Sequence, residues 1–216
     1  RMMDNQVLSV WKDSGMTSYD VVNLIKKKTN ASKVGHCGTL DPFANGVLLI
    51  CTGDETKNID NFMNLEKEYV ADITFGYETD TLDKTGSIIN QKENFSSLQI
   101  SEGIIKNVLD DFVGSTKQIP PYFSALKFKG IPLYKYARKG IFIRKKARTV
   151  FIDSLKLLDM KKNKIKIYVK CNKGTYIRAL ARDIAYKLDT YGYLNDLSRI
   201  SLGPYNKDNS IRIDEI

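Results

Sequence analysis

Histidine occurs once in this 216-residue chain, at His36, and acids are scattered around it without ligand spacing. That excludes the usual pattern of a protein-held transition metal. Cysteine is scarce as well. Cys37, Cys51 and Cys171 form an odd set with no paired spacing, which suggests neither a disulfide framework nor a zinc knuckle and fits reduced thiols in a cytoplasm. No apolar run approaches the roughly 20 residues of a membrane span. The N-terminal "RMMDNQVLSVWK" lacks an apolar core flanked by a cleavage site. The expectation is a soluble, cytoplasmic protein with no membrane partner.

The most informative absence is that of acid. Between Phe112 and Ile152 there is no Asp or Glu, yet there are ten Lys or Arg residues. Tyr122, Phe123, Phe128, Tyr134, Tyr136 and Phe142 are interleaved with them. A solvated charged face over an aromatic core explains each residue type separately, but not the loss of every acid over so long a stretch. Cations that neutralise phosphates, beside rings that support splayed bases, explain both. A net charge of +9 points the same way, toward an acidic partner and first of all a nucleic acid.

What is present reads as one mixed α/β chain without repeats. A hydrophobic content of 42% is ample for a core. "TSYDVVNLIKKKTN" offers Thr17 or Ser18 as an N-cap, apolar residues Val21, Val22, Leu24 and Ile25, and lysines at the end favoured by the helix dipole. Val47 to Cys51 is an apolar run bounded by Gly46 and Gly53, as in a buried strand. "EYVADITFG" alternates, with Tyr69, Ala71, Ile73 and Phe75 on one face, and "YETDTLDKTG" after it reads as a loop. Ile104, Ile105, Val108, Leu109 and Phe112 recur at helical spacing before Gly114, which reads as a C-cap. "KIKIYVKCN" alternates, and Ile177, Leu180, Ala181, Ile184 and Leu188 form a helical stripe.

Two features bear on chemistry. "GHCGTLDPFANGVLLICTGDETK" places four glycines around a short hydrophobic run, with Asp41 in an Asp-Pro pair. Pro42 biases Asp41 toward an extended backbone, so Asp41 either only shapes a turn or serves as a reactive carboxylate. A thiol nucleophile built from His36 and Cys37 is disfavoured, because sequence neighbours rarely face each other and no third, orienting group is evident. The second feature is Arg178. If Thr175 caps the helix of "GTYIRAL", Arg178 lies in a first turn where the dipole disfavours a cation, a placement a carboxylate or phosphate would compensate.

Five stretches in order carry a resemblance: "GMTSYDVV"; "GHCGTLDPFANGVLLICTGDETK"; "KEYVADITFG" with "TDTLDKTG"; "QIPPYFSALKFKGIPLYKYARKG"; and "CNKGTYIRALARDIAYKL" with "LSRISLG". Together they resemble the bacterial TruB family of tRNA pseudouridine synthases over nearly the whole chain. The resemblance implies a mixed α/β (α+β) pseudouridine synthase fold, with a central, largely antiparallel sheet flanked by helices and a thumb inserted over about residues 117–148. It implies an isomerase of the T-loop uridine of tRNA, a monomer that needs no metal, organic cofactor or obligatory protein partner. The partner is the tRNA T arm. Asp41 would be the essential carboxylate, Arg178 the arginine paired with it, and Tyr69 the tyrosine that stacks on the target base. His36, Lys57, Lys127, Lys129, Tyr134, Arg138, Arg144, Lys145, Arg148 and Tyr176 would contact RNA.

The chain departs from the family pattern at Cys37, where Thr is usual, at Glu55, where Ala is usual, and at Asp13 and Ser198, where Pro and Arg are usual. A further C-terminal RNA-binding domain of many members is expected to be absent or truncated. The alternatives are a guide-RNA-dependent synthase of the dyskerin type and a non-catalytic RNA-binding or tRNA-folding module.

Overall fold

The run at Val47 is apolar at every position because its strand is buried on both faces. The structure is a computed structural model that describes residues 5–92 and 100–216. Its elements in chain order are β1 (Val7–Lys12), α1 (Ser18–Thr29), β2 (Val34–His36), β3 (Asn45–Thr52), α2 (Ile59–Met63), β4 (Lys67–Phe75), β5 (Tyr77–Thr79) and β6 (Ile88–Gln91). They continue with α3 (Glu102–Asp110), β7 (Gly114–Gln118), β8 (Lys127–Phe128), β9 (Ile131–Pro132), α4 (Leu133–Arg138), β10 (Arg148–Lys161) and β11 (Lys164–Cys171). Last come α5 (Ile177–Lys187), β12 (Gly192–Leu202), β13 (Tyr205–Asn206) and β14 (Ile211–Arg212). Strand pairing is mixed and mainly antiparallel, as expected.

The chain divides into two compact units. The first comprises the chain up to Val70, Lys170–Lys173 and Leu197–Ile216. Its strands lie in the order β14, β1, β3, β12, with β2 also beside β3. β1 and β3 pair antiparallel from Val7↔Cys51 to Lys12↔Gly46. β12 joins β3 in parallel at Ser198↔Asn45 and Arg199↔Gly46. Alternation along β3 sends Leu48 and Ile50 to one face, where Val10 and the Val21, Val22 and Ile25 stripe of α1 meet them. Val47, Leu49 and Cys51 face the other side, against Cys37 and Leu202. α1 starts where the sequence suggested: the Thr17 hydroxyl accepts from the Asp20 amide and the Asp20 carboxylate from the Thr17 amide, each at 2.9 Å.

The second unit comprises Ala71–Val169 and Gly174–Asp196. Within it β11, β10 and β7 are successive neighbours, and β10 pairs antiparallel with β7 from Arg148↔Gln118 to Ile152↔Gly114. The α5 stripe is buried as the spacing predicted. Four local expectations are corrected. α3 is capped by Asp111, while Gly114, at φ 94°, opens β7; the chain turns there into a strand rather than out of a helix. Ile104 is exposed, off the buried Ile105 and Leu109 face. "YETDTLDKTG" begins as a strand, because Tyr77–Thr79 finds a partner in β6 that lay beyond the local pattern. Tyr176, not Thr175, is the N-cap of α5, and its side chain makes no capping bond.

Candidate active site

In the first unit the loop after β2 carries Asp41, and its backbone is fixed from both sides. Ahead of Asp41, the Leu40 amide donates to the Ser18 hydroxyl at 3.0 Å, and that hydroxyl donates back to the Leu40 carbonyl at 3.2 Å. After it, the Ala44 amide donates to the Asp41 carbonyl at 3.0 Å and the Gly15 amide to the Pro42 carbonyl at 2.7 Å. The Asp41 residue itself is half-buried.

Two buried cations complete the frame. Lys12, fully buried at the end of β1, donates its ammonium to the carbonyls of Ala44 and Met16 at 2.6 Å, of Asp13 at 2.9 Å and of Pro42 at 3.3 Å. Arg199, 1% exposed on β12, donates from Nε to the Val47 carbonyl at 2.9 Å, from Nη2 to Gly38 at 3.2 Å and from Nη1 to Thr39 at 3.4 Å. Carbonyl acceptors satisfy both charges, which makes their burial tolerable. The carbonyls before Asp41 are thus held by the arginine and those after it by the lysine.

The electrostatics follow from this burial. Loss of water lowers Lys12 to about 8, with Asp41 opposing the shift. Tyr69, on β4, is buried, and desolvation raises its phenol above the usual range although the Arg199 charge pulls the other way. The phenol is therefore protonated at neutral pH. Burial and the Arg199 charge lower His36, at the end of β2, whose Nδ1 is buried without a hydrogen-bond partner. Lys67 falls to about 8 by burial, its ammonium held by the Met63 and Leu65 carbonyls. Cys37 and Cys51 are free buried thiols with their sulfurs 3.4 Å apart, and that contact with burial pushes the Cys37 thiol up. Among the described residues no group of three or more His, Cys, Asp or Glu could hold a metal ion.

The remaining candidates divide between the units. Lys57 is exposed in the 3-10 turn Gly53–Asn58 of the first. In the second, Arg178 is buried in the first turn of α5 and donates to the carbonyls of Thr81 at 2.9 Å and Phe123 at 2.8 Å. The Thr81 carbonyl is presented by a loop organised on Asp83, whose Oδ1 accepts from the Thr81 and Thr85 hydroxyls and the Thr85 amide. Tyr176 is fixed through its backbone, which Gln118 clasps with both atoms of its amide. Around β8, β9 and α4, Arg138 lies over the Tyr134 ring at 4.9 Å, and Lys129 and Lys145 lie by the Phe128 ring at 5.4 and 5.9 Å. Lys127, Arg144 and Arg148 are exposed nearby in sequence.

Sequence reasoning missed Lys12 and Arg199, the buried cations that hold the Asp41 loop. A signal existed in strand parity. Lys12 shares its face with Val10, and Arg199 shares its face with Leu197 and Ser201, all buried.

Comparison with known proteins bears on this arrangement. A family model described as TruB family pseudouridylate synthase (N terminal domain) matches residues 26–177. The chain is 43% identical over 213 residues to tRNA pseudouridine synthase B of Alkaliphilus oremlandii (strain OhILAs), covering 98% of this chain and 70% of that protein. It is 40% identical over 214 residues to the protein of the same name in Clostridioides difficile (strain 630), again covering 98% and 70%. Among solved structures, a chain in a Cbf5-Nop10-Gar1 complex matches with a TM-score of 0.73 and 27% identity over 96% of this chain. The match spans only 52% of that longer chain.

Proposed function

The chain belongs to the TruB family of pseudouridylate synthases, and from that premise we propose that it is a stand-alone tRNA pseudouridine synthase in which Asp41 is the essential carboxylate. The observation that carries the assignment to Asp41 is the fixed loop, whose carbonyls are gripped by Arg199 on one side of that residue and by Lys12 on the other. Such pre-organisation is what a reacting group needs, since holding it in place removes orientational entropy from the barrier.

The reaction is a balanced isomerisation. The bond from ribose C1′ to uracil N1 breaks, the base turns, and a bond from C1′ to C5 forms. C5 loses its proton and N1 gains one. Nothing is oxidised and no group is imported, so the work left to the protein is positioning, proton movement and exclusion of water. Attack on the base, attack on the ribose and removal of a sugar proton all begin from an oriented carboxylate, which is the role given to Asp41. Tyr69, a buried and protonated phenol, supports the detached base and can relay a proton. Arg178 takes the role implied by its "GTYIR" motif.

The target uridine must leave its stack, at a cost of a few kcal/mol. The cations and rings of the Lys127–Arg148 segment, with His36, Lys57 and Tyr176, are assigned to the T arm, where phosphate contacts and stacking offset that cost. The stand-alone reading is favoured over a guide-dependent one by 43% identity over 70% of a tRNA pseudouridine synthase B, against 27% identity over 52% of the solved Cbf5-complex chain. The test is nucleoside analysis of a T-arm hairpin incubated with the purified chain alone. Conversion of one uridine to pseudouridine is expected; no conversion without an added guide RNA would overturn the stand-alone reading.

A further inference from the structure

We propose that Arg199 is a positioning residue of the reaction, a single guanidinium that fixes the loop leading into Asp41. The inference rests on the function proposed above and adds to it a residue to which neither the motif reading nor the family resemblance gives a role.

The backbone already shows why the arginine stands where it does. Arg199 is the register partner of Gly46, whose φ is 128°. A Cβ on Gly46 would lie 2.3 Å from the Arg199 carbonyl oxygen, so only glycine lets the two strands meet this closely. From that fixed origin the side chain reaches Val47 at the start of the apolar run, and Gly38 and Thr39 in the loop. Its charge also acts on the buried Tyr69 phenol, opposing the upward shift that burial imposes. Thr39 lies two residues before Asp41. The backbone leading into the carboxylate assigned to the chemistry is therefore held by one rigid, planar donor.

A buried arginine is an expensive device for stability alone, since well-packed apolar residues of similar volume often serve as well. What an apolar residue cannot supply is a fork that holds several oxygens at set angles. Lysine cannot supply it either, because its ammonium is a point charge on a flexible stem. Arg199→Lys thus preserves the charge beside Tyr69 while releasing the geometry.

The experiment compares wild type, Arg199→Lys and Arg199→Gln as full chains. Single-turnover rates at saturating T-arm hairpin are measured beside hairpin affinity, thermal melting, and hydrogen exchange at the Leu40 and Ala44 amides. Arg199→Lys should fold and bind hairpin as wild type does, exchange Leu40 and Ala44 faster, and lose about 100-fold in rate, the scale of a misplacement near 1 Å. Arg199→Gln should lose at least as much. An unchanged rate, a parallel loss of affinity and rate, or failure of both variants to fold would assign Arg199 to the scaffold and overturn the proposal. If wild type itself forms no pseudouridine, the proposed function fails. The exchange comparison then decides Arg199 alone: unchanged protection at Leu40 and Ala44 would overturn the proposal, and loosening confined to that loop would uphold its positional part.

Discussion

At the scale of the residue, His36 shows how the buried cation shapes its neighbours. Desolvation first, and the Arg199 charge second, hold its imidazole below the usual 6.5. The sign of the consequence is fixed by which state binds the proton. As pH falls below about 6.5 the unfolded chain protonates His36 before the folded chain does, so stability present above that value is lost on the way down. Denaturant midpoints measured on wild type and His36→Gln at about pH 7.5 and about pH 5.5 should show a smaller loss in the variant. Equal losses would mean the imidazole is not held neutral by the fold. Arg178 invites a different substitution. It sits in the first turn of α5, against the dipole, with its forks on the Thr81 and Phe123 carbonyls. Arg178→Lys keeps charge and loses the fork, so the single-turnover rate should fall far more than hairpin affinity. Unchanged kinetics would remove Arg178 from the site.

At the scale of the element, the meeting of β3 and β12 and the basic hairpin are the testable pieces. Gly46→Ala forces a Cβ onto the Arg199 backbone at a positive φ. We expect a loss of at least about 2 kcal/mol, read by chemical denaturation, from the strain and the displaced strand. A neutral Gly46→Ala would show that the strands can part without cost. The β8–β9 hairpin turns on Lys129 and Gly130, both at positive φ, and displays its cations around Phe128. Replacing Lys127, Lys129, Arg144 and Lys145 with Gln should weaken tRNA binding and flatten its log–log salt dependence by about 3 if all four meet phosphates. Parallel salt plots for wild type and the fourfold variant would make these residues an ordinary solvated face.

At the scale of the whole molecule, legibility tracks periodicity. β4 and β11 alternate and were visible; α1 and α5 carry clean stripes and were visible too. β10 gave no such signal, because its buried residues pass from Val150 and Ile152 to Leu155 and break parity midway. β5, β8 and β9 are two or three residues long and exist through their partners, which no local pattern announces. Asp41, Tyr69 and Arg178 are proposed from motifs, whereas the buried cations Lys12 and Arg199 were hidden by the habit of reading charge as surface. Their burial depends on backbone carbonyls that only the folded chain brings together.

The central claim, that this loop makes Asp41 the reactive carboxylate of an isomerase, is tested most directly by one measurement. A T-arm hairpin labelled with tritium at uridine C5 releases tritium to water only when C5 gives up its hydrogen. Wild type should release it without guide RNA or added protein. Asp41→Asn, nearly isosteric but without an ionisable oxygen, should bind the hairpin equally and release none. Substantial release by a folded Asp41→Asn chain would contradict the account.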